Sequence, residues 1–499
     1  MSLNLSQIKN SVDVAKERIS QWMHDFGIQS RSYQQEAIDW GLYKEHCVYD
    51  QGGTFVKTTP RGLIADEMGL GKTIVMLSIC VGNPVGNTLI VVPSALLNQW
   101  KSLIKKWLGH DVLVFHGRNT KLTIGEIQER PMVLTTYGMM STRNKKSSWK
   151  SPLWSIEWDR VIYDEAHHLR NQKSNKHLGA LKIQALNQWY MTGTPIQNSD
   201  KDMVSLCKLM GIWEQIKANP TSATDILIPY VKLRTKVGVG IELEPAKIST
   251  VFVEEYESVE EKNLISSVHS CLSFSEITQE NADDFIRYIE GDSILPMLIR
   301  ARQSCIIPHM VTNYAKSLQN EGSIPNDVNI KKIHSHTKIN MIVEKIKNEK
   351  KEYRRCILFC FYIEEMNHLN AVLTNKYGMD VKMLNGRTKH SDRKIIPTLS
   401  PDVLIVQIQS CCEGLNLQQF STVIFTSPHW NPAVEDQAIA RAHRIGQTQE
   451  VRVFKYITAG LGKGTKSLDM RCAEVQEIKR KKMRDFGERH EIVSGEMPE

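Results

Sequence analysis

The segment ADEMGLGKT, Ala65 to Thr73, running on into the apolar stretch TIVMLSIC, narrows the possible folds more than anything else in the chain. Glycine carries no Cβ, so a Gly-rich turn leading into a helix lets backbone N–H groups approach an anion while the helix N-terminus adds favourable potential. In such a turn Lys72 is placed to hold the β- and γ-phosphates of a nucleotide, and Thr73 to coordinate Mg²⁺. The residues between them and Ala65, namely Asp66, Glu67, Met68, Gly69, Leu70 and Gly71, form the rest of the expected nucleotide cradle. One position departs from the general pattern, because Asp66 stands where the first Gly is usual.

The sequence on either side has the rhythm of an α/β fold. Short β-branched runs, LIVVP (Leu89 to Pro93), MVLTTY (Met132 to Tyr137), RVIYDEA (Arg160 to Ala166) and WYMTGT (Trp189 to Thr194), alternate with helical stretches. A second series follows: CILFCF (Cys356 to Phe361), VLIVQI (Val403 to Ile408), TVIFTS (Thr422 to Ser427) and VRVFKYI (Val451 to Ile457). Alternation of this kind predicts a parallel sheet in each series, hence an α/β protein with two lobes in tandem. The expected divisions are an N-terminal helical segment over 1–30, a first lobe over 31–236, a helical accessory region and linker over 237–335, a second lobe over 336–460 and a charged helix or tail over 461–499.

At 499 residues the chain is long enough for two or three cores. Its 41% hydrophobic and 24% charged residues have the balance of a folded globular protein. The charge excess, 63 − 55 = +8, suits a polyanion-binding protein without demanding one. No apolar run reaches bilayer length, and the first residues carry charges where a signal peptide needs its apolar stretch, so an intracellular, membrane-free protein is expected. The ten cysteines include no CxxC pair, which points to reduced, buried thiols and not to zinc.

Two further motifs complete a hydrolytic site. VIYDEAHH ends an apolar strand with Asp164 and Glu165; the first can hold the metal and the second can orient and polarise the water that attacks the γ-phosphorus. Far along the chain, DQAIARAHRIGQ carries Arg441 and Arg444, three apart and therefore expected on one helical face. Guanidinium groups keep their charge and fit phosphate oxygens, so this pair is expected to act as arginine fingers from the second lobe. ATP would then be gripped from both lobes, and its hydrolysis would drive their relative motion.

Taken in order, ADEMGLGKT, DEAH, TGTPIQN and WNPAVEDQAIARAHRIGQ resemble the Swi/Snf-type ATPases of helicase superfamily 2, over roughly Arg31 to Thr458. The resemblance implies two RecA-like lobes with helical insertions, ATP and Mg²⁺ as cofactors, and double-stranded DNA as the track. RSYQQEAIDW is similar to the family's adenine-recognising segment, which places Gln34 at the base. VVPSALLNQW, LTTYG and SPHWNP resemble segments at the DNA and make Ser94, Thr136, Tyr137 and Trp430 the implied contacts. His167 of DEAH, Thr192 and Thr194 of TGTPIQN, and Gln437 are the implied residues coupling hydrolysis to movement. LIRARQSCIIP, Leu298 to Pro308, is similar to the accessory sequence that the family carries before its second lobe.

The same resemblance implies a monomeric motor acting on transcription or chromatin, and nuclear placement, in a host nucleus if the chain is viral. QSCCEGLNLQ departs from the family, which usually has two glycines where Cys411 and Cys412 stand. Two other readings stay open at this point: an RNA-dependent helicase with the same core, and a DNA- or polymerase-binding transcription scaffold with little turnover.

Overall fold

The protein is described here by a computed structural model, covering residues 5–46, 60–117, 122–142, 150–193, 200–241, 243–270, 272, 295–411, 415–444, 446–462 and 465–491. The chain divides into two compact units, Met1–Glu242 together with Met483–Glu499, and Leu243–Lys482.

The first unit is built on seven strands: β1 (Arg61–Ile64), β2 (Thr88–Val92), β3 (Leu113–Phe115), β4 (Met132–Thr136), β5 (Glu157–Asp164), β6 (Gln184–Met191) and β7 (Val231–Lys232). They pair in parallel in the order β3-β4-β2-β5-β6-β1-β7. Alternate residues feed two separate cores. Leu63, Leu89, Val91, Val133, Val161 and Tyr163 enter one; Ile64, Ile90, Val92, Leu134 and Ile162 enter the other. Burial on both faces is why these strands read as near-continuous apolar runs.

The helix Leu5–Asp25 is part of this fold. Val12, Ala15, Ile19, Trp22 and Met23 repeat at helical spacing and pack into the second of those cores. Arg18 adds a donor to the carbonyl of Gly82 at 2.9 Å.

The second unit holds β8 (Lys247–Val253), β9 (Cys356–Cys360), β10 (Val381–Leu384), β11 (Val403–Gln407), β12 (Thr422–Phe425) and β13 (Arg452–Thr458). All pairs are parallel, in the order β10-β11-β9-β12-β13-β8. Helices Val259–Ser270, Leu295–Ile306 and His309–Asn320 occupy much of the stretch read as helical, but that stretch opens with β8. KISTVFV is rich in β-branched residues and lies along β13 for seven consecutive register positions, so it forms the edge of the second sheet.

The charged helix Leu468–Glu491 is anchored along one side. Asp469, Cys472, Val475, Gln476 and Lys479 are all buried. Asp469 accepts from the Thr458 N–H at 3.0 Å and from the Ser427 hydroxyl, and it pairs with the buried ammonium of Lys338. Lys338 also donates to the Thr426 carbonyl at 3.1 Å. The helix is therefore tied to the ends of β12 and β13 by a satisfied polar network.

Cys80, Cys207, Cys305, Cys356, Cys360 and Cys472 are free and buried. Among the described residues no helix is long and apolar enough to cross a membrane.

Candidate nucleotide site

In a parallel sheet all strand C-termini lie along one edge, where the loops can meet. The sheet order sets β5, β6 and β1 side by side, so the loops after Asp164, Met191 and Ile64 are neighbours on that edge. Three of the sequence motifs issue from those loops.

After β1 the chain turns through Gly69 and Gly71, at φ of 93° and 84°, and enters the helix Lys72–Gly82 with Gly71 as its N-cap. Only glycine fits Gly71 on two counts, the left-handed backbone and the space, since a Cβ there would come within 2.4 Å of Gln34 Nε2. That neighbour is the expected base-recognising residue. Gln34 is buried, donates to the Leu70 carbonyl at 3.0 Å and accepts from the Arg31 N–H at 3.0 Å, so its amide ties the RSYQQ segment to the loop. Lys72 Nζ donates to the Asp66 carbonyl at 2.7 Å. Thr73 follows in the helix's first turn, partly buried.

Asp66, the departure from the usual glycine, has a structural role. Its carboxylate is fully buried and forms a two-pronged pair with Arg234, including Nε to Oδ1 at 2.9 Å. Arg234 in turn lies over the Tyr33 ring at 5.4 Å. Glu67 donates its N–H to the Arg234 carbonyl at 2.8 Å, accepts from the Lys236 N–H at 2.7 Å and pairs with Lys236 Nζ at 3.0 Å. Two acidic side chains thus fasten the loop to the segment after β7. Met68 lies against Gly193, where an added Cβ would meet its Cγ at 2.7 Å.

At the end of β5, Asp164 is buried and each carboxylate oxygen accepts one N–H, Oδ2 from Trp100 Nε1 at 2.7 Å and Oδ1 from the Glu165 backbone at 2.9 Å. Burial first, then the adjacent Glu165 carboxylate, raises this carboxyl, and the Trp100 N–H and Lys72 pull the other way, leaving it at about 7. Glu165 has φ of 52°, a left-handed conformation that costs a non-glycine residue on the order of 1 kcal/mol. Its carboxylate lies 3.2 Å from His167 Nδ1, and the same nitrogen lies 3.4 Å from the Thr192 hydroxyl. Thr192 is buried and donates its N–H to the Ile64 carbonyl at 3.1 Å. Glu165, His167 and Thr192 therefore form a chain of polar contacts across the ends of β5, β6 and β1.

The residues expected at the duplex divide by exposure. Ser94 is exposed at the end of β2. Thr136 is buried and hydrogen-bonds His116 Nδ1 at 3.1 Å. Tyr137 is buried as well, and its hydroxyl donates to the Asp164 carbonyl at 2.7 Å, so it supports the acidic strand end from inside. Trp430 is partly buried in the second unit, where the buried Arg302 lies between its ring and that of Phe361, at 5.0 and 4.3 Å. Thr194 and Cys412 lie outside the described residues.

Also in the second unit, the helix Pro432–Ala442 starts with Asn431 accepting from the Ala433 N–H at 3.1 Å. Gln437 is buried on it and Arg441 sits in its last turn, partly buried. Arg444 does not share its helical face: the helix stops at Ala442, His443 leaves at ψ of 86°, and Gly446 turns the chain at φ of 95°. The amide of Gln447 enforces the stop, its Nε2 reaching the carbonyls of Ala442, Gln418 and Phe420 at 3.1, 2.9 and 3.1 Å. Residues 436–447 read as continuous helix because the capping side chain follows the turn and its partners come from elsewhere.

Buried Glu435 holds the same helix. It accepts from the His429 N–H at 2.7 Å and from Gln476 Nε2 at 2.6 Å, and it pairs with Lys455 at 2.6 Å.

This fold and edge define a helicase-type ATPase. The chain matches the SNF2-related domain over residues 33–237 and the helicase conserved C-terminal domain over 312–446, and it belongs to the SNF2-related family of these proteins. Among its relatives is the probable global transactivator of Orgyia pseudotsugata multicapsid polyhedrosis virus, 26% identical over 448 residues that cover 85% of each chain. The ISWI chromatin-remodeling complex ATPase ISW1 of Saccharomyces cerevisiae is 24% identical over 86% of this chain, which spans only 38% of that longer protein. The helicase domain of Pyrococcus furiosus Hef has the same fold at 17% identity, with a TM-score of 0.53 over 87% of this chain and 96% of that one.

Proposed function

We propose that the chain is a motor that spends ATP on moving along double-stranded DNA, in the service of transcription or of remodelling DNA–protein complexes. The observation that carries this reading is the gathering of the Lys72 loop, the Asp164–Glu165 pair and Thr192 on adjacent strand ends of one parallel sheet. Membership of the SNF2-related family and the likeness to the viral transactivator support the choice of track and process.

In this proposal the loop from Asp66 to Gly71 and the start of its helix receive the phosphates, Lys72 turns from the Asp66 carbonyl to the phosphate oxygens, and Gln34 reads the base. Glu165 positions the attacking water and takes up its proton, with His167 and Thr192 relaying the state of that carboxylate to the loop that follows β6. The donor set fits a divalent cation, since Asp164 offers a buried carboxylate with a single N–H on each oxygen and Thr73 a hydroxyl at the helix start. Such a cation would neutralise phosphate charge when bound. Arg441 and Arg444 are assigned to the transferring phosphoryl group. Ser94 and Trp430 remain assigned to the duplex, Thr136 and Tyr137 to its support from within. Contacts of this type go to phosphates, so binding should be poor in sequence preference and weaken with salt.

Displacement of a third strand from a linear triplex tests the motor reading. ATP-dependent displacement is expected. Turnover without displacement would leave an ATPase that does not travel.

A further inference from the structure

Strand β8 is the outer strand of the second sheet, paired on one side with β13 and, among the described residues, with no strand on the other. An edge of this kind presents a row of backbone N–H and C=O groups, and proteins usually protect it with charge, proline or a covering element. Here the protection is confined to one end. Lys247 is the strand's only charged residue and is paired with Glu450 at 2.8 Å, while the following six, ISTVFV, carry neither charge nor proline. Ile248 and Phe252 are 56% and 51% exposed, and with Thr250 between them they share one face.

We infer that β8 is a self-association surface, on which a second copy of this chain adds its own β8 antiparallel across a two-fold axis at Thr250. The sequence fits such an axis. An isologous contact requires one patch to complement itself. Antiparallel pairing centred on Thr250 sets Ile248 opposite Phe252 of the second copy, and Phe252 opposite Ile248 of the second copy. The two exposed apolar side chains of the strand thus cover each other twice, as cross-strand neighbours. In the same register Lys247 lies diagonal to the exposed Glu255 of the second copy, which adds opposite charge at both ends. A displacement by one residue would break both matches, because it would turn Ile248 and Phe252 to opposite faces of the pair. A seven-residue contact is smaller than the roughly 800 Å² per partner of a stable interface, so the dimer is weak and depends on concentration.

Sedimentation of the full chain from low to high micromolar concentration reads this directly. The expected result is a mass that rises from one copy towards two, and a single-copy mass for Ile248→Lys and Phe252→Lys with unchanged circular dichroism. A covalent readout is independent of affinity. Thr250→Cys faces its own copy at a Cα separation of about 4.5–5.5 Å, within disulfide reach. It should form linked dimer at least several-fold faster than Val259→Cys, a control at an exposed site outside the strand. A single-copy mass at every concentration with no preferential linkage at residue 250, or a dimer that survives both lysine variants, overturns the inference.

Discussion

Asp66 shows how a residue that breaks a motif can serve it. A glycine at that position would leave the loop free of the Arg234 pair, whereas the buried carboxylate locks the loop to the segment behind β7. Removing Arg234 strands that charge, and losses of this kind cost about 3–5 kcal/mol. Arg234→Ala is therefore expected to lower first-unit stability by an amount of that order, measurable by urea unfolding, and to weaken nucleotide binding. Glu165→Gln keeps the size of the side chain and removes its basicity. Nucleotide affinity should stay within a few-fold of the wild type while turnover falls at least 100-fold, as expected when a positioned base is lost. A fluorescent nucleotide titration beside a phosphate-release assay separates the two, with Lys72→Ala as the variant expected to lose affinity itself. Lys72, Asp164 and Glu165 were legible in the sequence because each sits in a contiguous motif. Their supports were not, since Trp100 lies 64 positions from Asp164 and Arg234 lies 168 from Asp66.

Among the elements, those with long apolar runs were the readable ones. β2, β4, β5 and β6, and β9, β11, β12 and β13, are buried strands whose sequence could hardly be anything else. The short β1, β3, β7 and β10 carry too few residues to show a period, and β8 reads ambiguously because an edge strand has only one sheet neighbour to shape it. The end of the arginine helix at Ala442 was hidden for the same reason as its cap, the distant partners of Gln447.

The helix Leu468–Glu491 looks like a solvated tail by composition, yet Asp469 fastens it to Lys338, Ser427 and Thr458. Asp469→Ala leaves the Lys338 ammonium buried without its counter-charge and should cost about 3–5 kcal/mol of second-unit stability by denaturant unfolding. Asp469→Asn, which keeps hydrogen-bond partners, should cost less.

A pH dependence belongs to this scale as well. His309, His336 and His368 meet with ring centroids 4.8, 5.7 and 5.0 Å apart, joining three segments of the second unit. Burial first, then the two neighbouring rings, lowers His336 to about 4, and burial lowers the other two. Glu364, 3.4 Å from His309, opposes the shift there. A base whose folded value is depressed stabilises the fold above its unfolded value of about 6.5 and loses that contribution as pH falls towards the folded one. The melting temperature should therefore decline between about pH 6.5 and about pH 4, and the decline should be shallower in His336→Gln.

Over the whole molecule, the tandem α/β plan was legible because two series of apolar strands repeat it, and the order of motifs identified the family. The borders between parts were harder to read, since they depend on which sheet claims a short segment: Lys247–Val253 joins the second sheet, and the N-terminal helix joins the core of the first.

A motor that travels on DNA requires this site to burn ATP in response to a duplex. The decisive measurement is steady-state ATP turnover of the full chain with Mg²⁺, alone and with linear double-stranded DNA, single-stranded DNA or RNA in matched amounts. For such a motor, turnover should be low alone, rise at least 10-fold with the duplex and be lost in Glu165→Gln, consistent with a base contribution of roughly 10²–10⁴. Turnover that ignores every nucleic acid, or that answers to RNA and not to the duplex, would contradict it.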